Sequence, residues 1–156
     1  VSALPVVVGV GQVTRHDDED VALAEPLTLL LDAARAAEAD TGVSLLEHVD
    51  AVELMPVGAW PYDDLPGLVV GRLGLDPARV RAREHPIGGE TPIRALDVAS
   101  ARIASGDARV VLLAGAEGTR AVTRARRSGV ELPWTPRGAR STIPTMPPEL
   151  QRAAGV

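Results

Sequence analysis

The chain has 156 residues, enough for one domain with a substantial core. It contains no cysteine, which excludes a disulfide framework, a zinc ribbon, a CxxC redox pair and a cysteine nucleophile. The net charge of −5 speaks against general affinity for nucleic acid, and no apolar run approaches the ~20 residues of a membrane helix, so a cytoplasmic protein with no membrane span is expected.

All sixteen positive charges are arginine, and asparagine and phenylalanine are also absent, the mark of a GC-rich genome rather than of a phosphate-binding surface. With two Trp, one Tyr and no Phe, small aliphatic side chains must fill the core.

Residues 5–13 read PVVVGVGQV, the near-continuous apolar run of a strand buried on both faces, as in a parallel sheet. The acidic run at 17–20 is expected to be a solvated loop. From Leu27 the apolar spacing becomes i, i+3, i+4, i+7 through Leu30, Leu31 and Ala34, which predicts an amphipathic helix ending near Gly42. A second strand is expected over 49–57, with Val52 and Leu54 among its apolar positions. Asp63 and Asp64 are helix N-caps ahead of the stripe Leu65, Leu68, Val69, Leu73. Asp76-Pro77 starts a turn, and residues 79–83 alternate as a short strand.

Thr91 as N-cap and Pro92 at the first helical position then begin a helix over 92–105, apolar nearly all round and therefore expected to be buried. Gly106-Asp107 stops it, residues 109–114 (RVVLLA) form another buried strand, and 119–128 form a polar helix ended by Gly129. Beyond that point prolines at 133, 136, 144, 147 and 148 break every candidate element. The charge changes too: 19 acidic residues against 9 arginines through Glu117, then 2 against 7. The alternation of strands and helices predicts an α/β domain over 1–129 with a mainly parallel sheet, and over 130–156 a proline-rich extension or the start of a missing segment.

Gly9 and Gly11 lack the third glycine of a dinucleotide fingerprint, whose position is Thr14, and no helix follows at once; a strand-end turn is expected. For the same reason a flavodoxin-like phosphate loop is not expected over 11–20. His16, His48 and His85 have no metal-ligand spacing. His85 lies four residues before Gly89, which makes it a pocket candidate, set against the plainer reading of a surface loop histidine. No Gly-x-Ser-x-Gly elbow is present.

The segment Gly88-Gly89-Glu90-Thr91-Pro92 opens the apolar helix. Two glycines let a ligand approach the backbone, and a helix N-terminus offers N–H groups and a positive dipole end to a thioester carbonyl or another oxyanion. A tight turn feeding a helix is the equal alternative.

HPIGGETPIRALDVASARIASGDARVVLLAGAEGTRA, residues 85–121, resembles the thiolase superfamily, above all the actinobacterial thiolase-like proteins labelled acetyl-CoA acetyltransferase. The opening PVVVGVGQVT and the LPW-T around Trp134 fit the same relatives, so that the resemblance covers residues 5–137. It implies a layered α/β/α half-domain, the N-terminal half of the superfamily's pseudo-symmetric pair. It implies an acyltransferase that binds acyl-CoA as substrate or ligand, with no other cofactor and no metal. In that family the nucleophilic cysteine sits at the head of this helix, a position held here by Gly89. The expected ligand-binding residues are Gly88, Gly89, Glu90 and Thr91, with Glu90 and His85 as the nearby titratable groups. The family's remaining catalytic residues belong to the C-terminal half. The resemblance also implies an oligomer, or a partner chain carrying that half, with the strand near 79–83 and the apolar helix at interfaces. The alternative is a non-catalytic subunit that stabilises or regulates a partner enzyme.

Overall fold

The structure, a computed structural model, describes residues 3–15 and 24–139. Helix α1 spans Pro26–Thr41; a proline opens it where no N–H is needed, and Leu27, Leu30, Leu31 and Ala34 form its buried stripe. A 3-10 turn, Leu46–His48, leads into strand β1, Ala51–Leu54. Helix α2, Leu65–Arg72, is capped by the Asp64 carboxylate, which accepts the Gly67 N–H at 2.9 Å. Strand β2 is Arg81–Glu84, helix α3 Thr91–Ser105, strand β3 Val111–Ala114 and helix α4 Thr119–Ser128. Gly42, Gly106 and Gly129 end α1, α3 and α4 with φ of 72°, 79° and 65°, a left-handed turn that glycine adopts without steric cost.

The three strands are parallel in the order β2-β1-β3, with Glu53 level with Arg83 on one side and Leu113 on the other. The chain steps outward from β1 to β2 through α2, then back across β1 to β3 through α3. Two crossovers of one handedness running in opposite directions put their helices on opposite faces. Strand alternation sends Val52 and Leu54 toward α1 and α2, where they join Leu27, Leu30, Leu31, Leu65 and Val69 in the core. Ala51 and Glu53 face α3. The apolar core therefore lies on one side of the sheet, and the other side has α3 as its described cover.

Several expectations change. Residues 5–13 form no strand: they run extended across α1, with Val6, Val7, Val8 and Val10 exposed. Gly9 and Gly11 dock there so closely that a Cβ on either would overlap the carbonyl of Ala37 or Ala33. The Val10 N–H donates to Asp40 at 2.9 Å. The segment is thus tied to a helix and not to a strand edge. Helix α3 is not buried all round: Thr91, Ala95 and Ala99 are buried, while Ile93 and Leu96 are 63% and 45% exposed, because no described layer lies over them. Strand β3 is half-buried for the same reason. Strand β2 begins two residues later than expected, and β1 is shorter. Thr91 lies inside α3, with Glu90 at the cap position; its hydroxyl donates to the Pro86 carbonyl at 2.7 Å instead of capping. The acidic run at 17–20 and residues 140–156 lie outside the described residues.

Past α4 the chain returns to the domain. Trp134 meets Trp60 edge to face, with ring centroids 5.1 Å apart, and the Trp60 indole N–H donates to the Thr135 carbonyl at 2.9 Å. The Gly138 N–H donates to the Pro61 carbonyl at 2.8 Å.

Candidate functional site

In open α/β sheets the usual ligand crevice lies beyond the carboxyl ends of the strands, where the strand order reverses. Here that point falls between β1 and β3, and Glu117 closes it. Its carboxylate accepts the N–H groups of Gly58 at 3.0 Å, Ala59 at 3.3 Å and Gly118 at 2.7 Å, tying the two strand ends together. Among the described residues no cluster of three or more His, Asp or Glu side chains is arranged to hold a metal ion.

The 88–91 turn lies between β2 and α3. Its residues Gly88, Gly89 and Glu90 are exposed, while Thr91 is buried. The Thr91 N–H donates to the Gly88 carbonyl at 3.1 Å, and Pro92 has no N–H to offer, so the helix N-terminus presents fewer free donors than an ordinary first turn. The Glu90 carboxylate folds over Gly88, with an oxygen 2.6 Å from where a Cβ would stand, and pairs with Arg94 at 3.3 Å. A negative charge in that position disfavours a phosphate and leaves room for a neutral carbonyl dipole. Nothing lies within 4 Å of a Cβ built on Gly89, which faces open space.

His85 is no surface loop histidine: 6% exposed, its Nε2 lies 2.7 Å from the Glu53 carboxylate. An ionised carboxylate only accepts, so His85 Nε2 carries the proton of that bond. Glu53 itself is fully buried in the central strand. It also accepts Arg83 Nε at 2.5 Å and Arg102 Nε at 3.0 Å. Burial alone pushes the Glu53 pKa up, but hydrogen bonds from Arg83, His85 and Arg102 outweigh it and hold the group below the ordinary carboxylate value. Arg102 also pairs with Asp107 at 2.8 Å, and Asp107 with Arg81 at 2.8 Å. The structure thus brings together His85 with Glu53, a residue the sequence reading passed over. One signal was present: a lone carboxylate inside an apolar strand, with Arg-x-Arg-x-His on the strand that follows.

An apolar slot of about 470 Å³ separates residues 5–11 from the outer edge of β3, with α1 and α3 as its floor and roof. It does not include the 88–91 turn.

No protein-family model and no curated protein matches the sequence. Solved structures do match the fold. The acetyl-CoA acetyltransferase of Syntrophomonas wolfei superposes with a TM-score of 0.53 at 19% identity, covering 69% of this chain and 27% of its own. The fold is thiolase-like. OleA from Xanthomonas campestris, solved as a variant with cerulenin, gives a TM-score of 0.49 at 20% identity over 58% of this chain and 26% of its own. The chain spans about a quarter of the length of these structures. Within the thiolase-like fold, the 88–91 turn, α3 and β3 follow one another in the order expected from the 85–121 resemblance. No described helix is long and apolar enough to cross a membrane.

Proposed function

We propose that this chain is the N-terminal half of a thiolase-like acyl-CoA acyltransferase, cytoplasmic, that binds an acyl-CoA thioester at Gly88, Gly89, Glu90 and Thr91 and has no cysteine nucleophile of its own. On this reading the half is assigned to residues 1–129, with 130–156 as a proline-rich extension or the start of a further segment, of which Trp134 and Gly138 pack back on the half. The observation that carries the reading is the open, side-chain-free surface over Gly89 at the head of α3 in a thiolase-like fold. A thioester carbonyl can reach the backbone there. Glycine cannot form an acyl-enzyme, so the covalent chemistry falls to residues outside this chain.

Titration of the full chain with acetyl-CoA, followed by calorimetry and by the amide resonances of Gly88, Gly89 and Thr91, tests it. Saturable binding with those three amides moving first is the expected result. No heat and no shifts at millimolar ligand would end the acyl-CoA reading. A second measurement restores the missing group. Gly89→Cys fits the open space, and its thiol would be the protein's only one. The helix dipole favours its thiolate and Arg94, paired with Glu90, offsets the opposing carboxylate, so it should alkylate about fivefold faster at pH 7 than the same thiol in the urea-unfolded chain. Equal rates would mean that the turn does not stabilise an anion.

A second reading, a non-catalytic subunit that stabilises or regulates a partner, is favoured by the exposed Ile93 and Leu96 on α3. Its partner would be another copy or a chain carrying the C-terminal half, and binding of acetyl-CoA separates the two.

A further inference from the structure

We propose that Glu53 is a positioning residue for the 88–91 turn, holding the arm that enters it and the helix that leaves it. The inference rests on the reading of that turn as the binding element. One Glu53 oxygen takes His85, the first residue of the entering arm, together with Arg83 at the end of β2. The other takes Arg102 from α3, the helix that the turn feeds. The five residues between, 86–90, are exposed. Thr91 closes the loop on itself through the carbonyls of Pro86 and Gly88. A loop so closed keeps its own shape, but its tilt relative to the sheet depends on its two anchors, and both converge on one carboxylate.

Energetics point the same way. A buried ion cluster contributes little compared with well-packed apolar side chains of similar volume, so its presence argues for geometry more than for stability. The face in question is thinly packed: Ala95 and Ala99 are the buried apolar residues of α3 there. The groups facing Glu53 are Arg83 and His85 from β2 and its exit, Arg102 from α3 with Asp107 behind it, and the uncharged Leu113 level with it on β3.

The test is Glu53→Gln in the full chain, with amide hydrogen exchange, the His85 ring nitrogens and acetyl-CoA titration as readouts. Gln keeps the volume and removes the charge that both arms share. We expect exchange of the hydrogen-bonded amides of His85, Thr91 and Arg94, which hold the two ends of the loop, to rise about tenfold while the amides of α1 keep their wild-type rates. The His85 Nε2 proton should exchange faster than in the wild type, since a neutral amide oxygen accepts it less strongly, and acetyl-CoA should bind about tenfold more weakly. Exchange of these three amides within twofold of wild type would overturn the proposal. If Glu53→Gln does not fold, His85→Gln leaves Glu53 with both arginines and is judged by the same exchange readout. A wild-type chain that binds no acetyl-CoA would overturn the acyl-CoA reading alone; faster loop exchange in the variant would still support the positioning role.

Discussion

Replacing Glu53 with alanine is expected to destabilise the fold by about 3–5 kcal/mol, a large share of the roughly 5–15 kcal/mol that holds a domain of this size together. The carboxylate has no solvent exposure and accepts from three donors, so its removal leaves the buried His85 without this partner, takes from Arg102 one of its two carboxylates and opens a cavity in the central strand. Urea unfolding at pH 7 followed by circular dichroism measures the loss, and thermal unfolding should shift down by about 10 °C. A change below about 1 kcal/mol would mean that water already solvates the cluster. The pH dependence has a definite sign. The folded-state pKa of Glu53 lies below its unfolded value, so at acid pH the unfolded chain binds the extra proton. The stabilisation is therefore complete above the ordinary carboxylate range and is lost as pH falls through the depressed folded value. The gap between wild type and Glu53→Ala should narrow as pH falls below about 4.

The second large effect contrasts the two faces of the sheet. Leu30→Ala should cost about 2–5 kcal/mol, because Leu30 is wholly buried between α1 and the sheet in the best-packed part of the molecule. Leu96→Ala, on the bare side of α3 and 45% exposed, should change stability by less than about 0.5 kcal/mol in the monomer. Urea midpoints for both variants, with sedimentation at the same protein concentration, check this. If Leu96→Ala proves as costly as Leu30→Ala and sedimentation shows an assembly, the outer face of α3 is covered in solution and the subunit reading gains. If the cost is small, that face is open in the free chain.

How much was legible in the sequence depended on how local each signal was. Helix α1 was readable because Leu27, Leu30, Leu31 and Ala34 mark one face and Gly42 ends it. Asp64 and Asp76 announced a cap and a turn through their own side chains, and α4 has the expected bounds. What failed was whatever depends on a neighbour. PVVVGVGQV has the composition of a buried strand, yet a strand exists only when another lies alongside it, and here the segment rests on a helix through Gly9 and Gly11. The burial of α3 was inferred from apolar residues on most of its circumference, but periodicity cannot say whether anything lies outside Ile93 and Leu96. The thiolase-like fold was readable from the ordered run at 85–121, and the solved structures agree with it. Glu53 stayed invisible because its role comes from residues 30 and 49 positions away, brought together by strand register and a helix crossing.

The register of β2 also bears on how the chain meets copies of itself. Arg81 and Arg83 share the face of the strand that carries Ala51 and Glu53 across the ladder, while Ala82 and Glu84 share the other. Antiparallel pairing about a two-fold axis normal to the sheet matches residues that point the same way. Such a register that overlaps three of these four residues sets Arg81 against Arg83 of the second copy, or Arg83 against itself. Like charges directly opposite each other oppose pairing, and charged edges are a common natural guard against sheets growing into fibres. The rim at β2 therefore discourages self-stacking, and a homo-oligomer of this chain is better served by the uncharged side of α3.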